Sequence, residues 1–326
     1  MDYLLLILGL GFLVKGADYL VDGASSLAKK MGISTLVIGL TIVSFGTSAP
    51  ELVVNIMASL GGNSDISLGN IIGSNIANIL LILGVAAMVM SLNVQHSTTW
   101  KEIPFSMLAS LVILALANRN LLDGVPFSQL GRVDGFLLLG FFVIFLYYAF
   151  EMARADRTTR KGRKELRQET KDIPLLPTWK IVLFIALGML GLYFGGRWVV
   201  NGAVSIAGDW GISEYVISAT IIALGTSLPE LVTSVVAASK KEVDLAVGNA
   251  VGSNIFNIFM VLGVTSVISP IQISDVVNKD IILLTTITLL LFVFMFMGRK
   301  MVLQKWQGGI FVIFYLGYIA SLVIRG

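Results

Sequence analysis

Six residues, Gly46-Thr47-Ser48-Ala49-Pro50-Glu51, return as Gly225-Thr226-Ser227-Leu228-Pro229-Glu230, both times inside an apolar stretch of chain. A carboxylate at membrane depth costs roughly 2.5–3.5 kcal/mol on insertion scales, so two at matched positions imply a shared use. The glutamates are 179 residues apart, and the same offset carries Ser74 onto Ser253, Asn78 onto Asn257 and Gly32-Ile33-Ser34 onto Gly211-Ile212-Ser213. About half of the positions from 38 to 85 match their partners without a gap. The chain is two copies of one unit, each holding an acidic residue in apolar surroundings.

Composition decides what those surroundings are. Hydrophobic residues make up 56% of the chain and charged residues 13%, about half the charged share of an ordinary soluble domain. This is the composition of a polytopic membrane protein. There is no cysteine and a single histidine, His96, which excludes disulfides and thiolate metal sites and leaves nothing for a zinc site or a Ser/His/Asp triad. No basic region or small-residue cleavage site precedes the first apolar run, so that run reads as a retained helix.

Apolar runs long enough to cross about 30 Å of hydrocarbon fall at 3–21, 34–60, 66–90, 103–118 and 133–151, then at 179–200, 212–239, 244–269, 280–298 and 308–324. The expected fold is therefore an all-α polytopic membrane protein of ten transmembrane helices. Its units are a first five-helix repeat, 1–151, a basic linker, 152–178, and a second five-helix repeat, 179–326. An odd number of spans per copy sends the second copy in from the opposite side, so the repeats should be inverted. Arg154, Arg157, Arg160, Lys161, Arg163, Lys164, Arg167 and Lys171 crowd the linker. The positive-inside rule then places the linker in the cytoplasm and both termini outside, in a plasma or inner membrane.

The repeated motif reads as an ion site. Pro50 and Pro229 have no backbone N–H, which deprives the carbonyls of Gly46 and Gly225 of their helical donors and predicts breaks around 44–47 and 223–226. Free carbonyls at membrane depth survive only inside protein or against a wet cavity, and a cation satisfies them. Each glutamate follows its break, in a first helical turn whose dipole favours an anion. Thr47 and Glu51 share a helix face at a spacing of four, as do Ser74 and Asn78, and Ser253 and Asn257. Two copies together supply two carboxylates, threonines and neighbouring carbonyls, two hydroxyls and two amide oxygens. An all-oxygen set of charge −2 suits a hard cation, and calcium takes six to eight oxygens at about 2.3–2.6 Å.

Blander explanations compete at single positions. Gly69-x-x-x-Gly73 and Gly248-x-x-x-Gly252 are most simply close helix contacts. A membrane proline is often only a kink, the serines could bond to their own helices, and one buried glutamate could be half of an ion pair. Recurrence of the whole set in register argues against taking these together. Lys15, Asp18 and Asp22 in the first span, and Arg197 in the sixth, read as structural pairs. Asp65 and Asp244 read as end caps of spans three and eight, with a role in ion entry as the alternative.

The quoted motifs, with Gly69-Asn70-Ile71-Ile72-Gly73-Ser74-Asn75-Ile76-Ala77-Asn78 and Gly248-Asn249-Ala250-Val251-Gly252-Ser253-Asn254-Ile255-Phe256-Asn257, resemble the two alpha-repeats of sodium/calcium exchangers in the cation/calcium antiporter superfamily. The short linker looks like that of prokaryotic members. The resemblance implies a core in which helices 2, 3, 7 and 8 are broken. It implies calcium ligation by Glu51 and Glu230, which would share sodium with Thr47, Thr226, Ser74 and Ser253. Backbone carbonyls of Ser44 and Ala223 would complete flanking sodium sites, and Asn78 and Asn257 would line the centre. Helices one and six would slide as a gate. Some relatives carry aspartate where Asn257 stands, and asparagine there argues against potassium dependence.

The expected function is thus electrogenic antiport of sodium against calcium by alternating access, with no enzyme activity and no cofactor beyond the transported ions. The lipid bilayer is the other partner, and neither nucleic acid nor an obligate protein partner is expected. Two like carboxylates in one pocket repel, so protons should compete for them. Calcium/proton exchange, a passive cation channel and sodium-coupled uptake of an organic solute are the rival readings, the last calling for aromatic or cationic residues beside the motif. An intramembrane protease lacks its catalytic groups.

Overall fold

A computed structural model describes residues 2–60, 64–122, 124, 128–209 and 223–325. The first helix, α1 (Asp2–Met31), runs ten residues past its expected end. It stops where Gly32 adopts φ +66° and the Ile33 amide turns back to the Ala28 carbonyl at 3.1 Å, a left-handed closure that glycine accepts at low cost. The second span is broken, α2 (Thr35–Thr47) meeting α3 (Ala49–Leu60) at 43°. There follow α4 (Ser67–Val89), α5 (Thr98–Ala117) and α6 (Arg132–Thr158). A short linker helix, α7 (Arg160–Glu169), leads to α8 (Thr178–Asp209). The second copy continues as α9 (Leu228–Ser239), α10 (Val243–Ile268), α11 (Asp275–Phe294) and α12 (Lys305–Arg325).

Among the described residues, eight helices are long and apolar enough to cross a membrane, and the bent pair α2 and α3 makes a ninth crossing. The tenth expected span, 212–239, is seen only from Ala223 onward, and Gly211-Ile212-Ser213 lies outside the described residues. Two two-stranded ribbons tie the copies together crosswise. β1 (Leu92–Asn93) pairs with β4 (Val302–Leu303), and β2 (Gln129–Leu130) with β3 (Ile271–Gln272).

Two corrections concern the core helices. The break in span two lies at Ser48, with φ −85° and ψ 4°, beyond the expected 44–47. The physical reason is that Ser48 N–H still reaches the Ser44 carbonyl at 2.9 Å, so the turn before the proline survives and the helix restarts with Pro50 in its first turn. Spans three and eight are not broken. Instead α4 widens to a π-helix over Asn78–Leu83 and α10 over Phe256–Leu262, the form in which an extra residue is taken into a continuous helix, often at functional sites.

Helices α1 and α8 pack at glycine. A Cβ on Gly188 would lie 2.7 Å from the Leu20 nitrogen, one on Gly195 2.7 Å from the Leu13 nitrogen, and one on Gly16 2.8 Å from the Leu192 nitrogen. Backbone cannot yield as a side-chain tip can, so Gly188→Val should destabilise the protein by about 1–3 kcal/mol or more, read as a fall in melting temperature in detergent. Gly248 and Gly252 likewise press on Leu36 and Leu40 of α2, the close contact their spacing suggested. Gly69 and Gly73 meet no such backbone among the described residues.

The linker folds back onto the protein. Glu169 Oε1 accepts from the Thr35 amide at 2.7 Å and the Thr35 hydroxyl at 2.6 Å, and Asp156 Oδ2 accepts from the Ser34 amide at 2.9 Å. Carboxylates from over a hundred residues away therefore cap the start of α2, whose orphan N–H groups need acceptors. Burial pushes the Glu169 carboxyl up to about 7, against the bond from the Thr35 hydroxyl, with Asp244 and Asp156 adding to the rise. Undocked, this group would titrate near about 4.3. The docked linker holds the proton more tightly, so docking strengthens as pH falls below about 7 and weakens as pH rises through it. Hydrogen exchange corrected for intrinsic rates should give greater protection of residues 160–169 at pH 6 than at pH 8, and Glu169→Gln should flatten that difference.

Candidate cation site

Glu51 and Glu230 each fall in the first turn of a helix that restarts after a break, α3 and α9. Both side chains are 1% exposed, and they lie close enough to repel each other. Among the described residues neither Glu51 oxygen has a hydrogen-bond partner, and Glu230 keeps one bond, accepted by Oε1 from the Ser48 hydroxyl at 3.0 Å. Glu230 Oε2, Ser253 Oγ, Asn78 Oδ1 and Asn257 Oδ1 are buried without partners as well. An unsatisfied buried polar atom costs about 1–3 kcal/mol, more when charged. Such a concentration of orphaned oxygens fits a hard cation.

The amides show how the oxygens are aimed. Asn78 Nδ2 donates to Asn254 Oδ1 at 2.9 Å, and Asn257 Nδ2 donates to Asn75 Oδ1 at 3.0 Å. Asn75 Nδ2 in turn donates to the Asn254 carbonyl at 3.2 Å. With both amide nitrogens engaged across the copies, the Asn78 and Asn257 oxygens are the atoms left over. These bonds occur at the π-helical turns of α4 and α10.

The remaining expected residues are placed less symmetrically. Thr47 donates toward Asn249 Oδ1 and the Val43 carbonyl, each at 3.1 Å, and Thr226 donates to Asn70 Oδ1 at 3.2 Å. Ser74 accepts from the Ser227 hydroxyl at 3.1 Å. The Ser44 carbonyl accepts the Ser48 amide at 2.9 Å and lies 3.4 Å from the Thr47 hydroxyl. The Ser44 hydroxyl reaches across to the Gly39 and Asn249 carbonyls at 2.6 and 3.0 Å. Ala223 begins a short turn, Ala223–Gly225, directly before the second motif.

Several contributors were not anticipated. Asn249 holds the Glu230 carbonyl at 3.3 Å and Ser234 at 3.0 Å, while Asn55 holds the Glu51 carbonyl at 2.6 Å and accepts from Ser67 at 3.0 Å. Thr233, one turn beyond Glu230, has a buried hydroxyl with no partner among the described residues. Asn70 Nδ2 also lacks one. The signal for Asn70, Asn75, Asn249 and Asn254 was in the repeat, because the offset of 179 maps one pair onto the other.

Charges outside the site are arranged differently from expectation. Asp18 and Asp22 do not pair within their own span alone: Lys240, after α9, reaches an oxygen of each at 2.6 Å. Lys15 to Asp18 is a 3.8 Å contact at an exposed position. Arg197 makes no such pair among the described residues and lines a cavity of about 270 Å³ together with Pro50, Thr226 and Pro229. Asp244 accepts from Gln95 at 2.8 Å, and the Asp65 side chain lies outside the described residues.

This architecture has known counterparts. The model of the family described as sodium/calcium exchanger protein matches residues 1–151 and 180–324. The inner membrane protein YrbG of Escherichia coli is 41% identical over 273 residues, covering 82% of this chain and 80% of its own. The sodium/calcium exchanger MaX1 of Methanosarcina acetivorans is 31% identical over 346 residues and 98% of both chains. A solved structure of the sodium-calcium exchanger NCX_Mj, soaked with Na+ and Ca2+, superposes with a TM-score of 0.81 at 30% identity, over 98% of both chains.

Proposed function

The chain belongs to the sodium/calcium exchanger protein family, and from that premise we propose that it exchanges several sodium ions for one calcium ion, electrogenically and without potassium, by alternating access to one site. The observation that carries this reading is that buried oxygens from both copies, those of Glu51 and Glu230 among them, lack partners among the described residues. Glu51 and Glu230 would bind calcium. Thr47, Thr226, Ser74 and Ser253 would join them around sodium, with the carbonyls of Ser44 and Ala223 at the flanks and Asn78 and Asn257 at the centre.

The electrostatics give the exchange rule. Two buried carboxylates in mutual repulsion demand positive charge, and calcium supplies both charges at one position. Sodium ions supply them one at a time at separate positions, so the two loads exclude each other through shared glutamates. Countertransport needs one more element: the site must open to one side only at any time. The ribbons that join the copies crosswise and the 179-residue repeat support two inverted five-helix units, and the basic residues of the linker favour its placement in the cytoplasm with both termini outside. By this reading α1 and α8 move together against the remaining helices.

Labelled-calcium uptake into sodium-loaded proteoliposomes tests the proposal. Uptake should require internal sodium, respond to membrane potential and proceed equally without potassium. Uptake driven as well by a pH gradient in the absence of sodium would move the assignment to proton exchange.

A further inference from the structure

The 179-residue offset also aligns α1 with α8, and there the two copies differ in charge. It carries Asp18 onto Arg197, Asp22 onto Asn201 and Gly16 onto Gly195. In the first copy the two aspartates, one helical turn apart, are held by Lys240, which also donates to the Asp18 carbonyl at 3.2 Å. In the second copy Arg197 and Asn201 face an open cavity, and the position matching Lys240 is Gly61, which carries no charge.

Access to the site follows the same asymmetry. The 270 Å³ cavity beside Arg197 and Asn201 is lined by Pro50, Thr226 and Pro229, so it reaches the cation site. On the linker side a cavity of about 250 Å³ is lined by Asp22, Ser25, Asp172, Lys240 and Glu242. No residue of the cation site lines it. Two of the three ion-pair residues, Asp22 and Lys240, line it.

We propose that Asp18, Asp22 and Lys240 form a one-sided latch, joining α1 to the turn between α9 and α10 and holding the linker side shut while the opposite side reaches the site. This rests on the alternating-access reading above. Lys240 is a positioning residue: it touches no transported ion and acts by biasing which side is open. A ligand or contact shifts such an equilibrium only by its preference for one state, and the triad exists in the state seen here. The matching places hold Arg197, Asn201 and Gly61, so the repeat does not reproduce the charges of this set. The latch therefore acts on one face alone.

The chain lacks cysteine, so a single introduced thiol reports access cleanly. Val54→Cys lies on the open cavity and Leu176→Cys on the linker-side cavity. Labelling by a charged maleimide in lipid nanodiscs would be timed with native Lys240, with K240Q and with K240R. In K240Q, labelling at position 54 should slow and labelling at position 176 should quicken, each by about fivefold, the low end of ordinary coupling between states. K240R should behave as native. Asp18→Asn combined with Asp22→Asn should reproduce K240Q, and it serves if K240Q does not fold. Unchanged rates, or a rise at both positions, would overturn the latch. If position 54 with native Lys240 fails to respond to sodium or calcium at all, the alternating-access reading itself falls.

Discussion

Calcium binding should fall by about a hundredfold or more in Glu51→Gln and in Glu230→Gln, because each change removes one of the two charges that set affinity at an all-oxygen site. Sodium-driven calcium uptake should fall to the level of empty liposomes in both. The variants should nevertheless fold. Glutamine fills the same volume, and removing one of two repelling buried charges relieves strain in the ion-free protein. Its melting temperature without calcium should be equal to or above that of the native chain. What disappears is the calcium-induced rise, which for a native site at a hundred times its Kd amounts to about 2.7 kcal/mol. That combination separates loss of a ligand from loss of the fold.

The second large effect is expected at a residue that holds a ligand. Asn254 Oδ1 accepts the Asn78 amide, and its carbonyl accepts the Asn75 amide. Asn254→Ala frees the Asn78 side chain to rotate, and the oxygen that faces the site loses its fixed position. Groups that orient metal ligands typically contribute 10- to 100-fold in affinity, so calcium binding should weaken by about that factor. Asn254→Asp keeps an acceptor for Asn78 and should retain more affinity than the alanine variant. Asn75→Ala should act in the same way on Asn257, whose amide it holds at 3.0 Å. Calorimetric titration of the variants with calcium measures all three.

The ligand rows were legible because carboxylates in apolar stretches are rare, and a repeat in register turns each rare residue into a pair. Glu51 with Glu230, Ser74 with Ser253 and Asn78 with Asn257 come from that logic, and buried oxygens of Glu51, Glu230, Ser253, Asn78 and Asn257 have no partner among the described residues. Helix length was less legible. The first apolar run ends at 21, yet the helix continues through Lys29 and Lys30 until Gly32 turns it. The π-helical turns at Asn78–Leu83 and Phe256–Leu262 carry no proline, and the glycines that follow them, Gly84 and Gly263, do not by themselves announce an extra residue in the turn. Proline did announce the break in span two. Its position at Ser48 depended on whether the preceding turn could keep its hydrogen bond, which sequence alone does not decide.

Charge pairing was the least legible part. Asp18 and Asp22 invite a partner within the same span, and Lys15 stands at the right spacing. The ammonium that holds them comes from Lys240, over two hundred residues away. The linker behaves similarly. Its basic residues read as a topology signal, whereas Glu169 is the residue that docks it, through the amide and hydroxyl of Thr35.

The central claim is that the two copies jointly build one cation site. Anomalous scattering from crystals of this protein grown without sodium and soaked in calcium tests it most directly. The account predicts a single strong peak within about 2.3–2.6 Å of oxygens from both Glu51 and Glu230. A peak bound by only one of them, or one placed elsewhere such as among Asp22, Asp172 and Glu242, would contradict it.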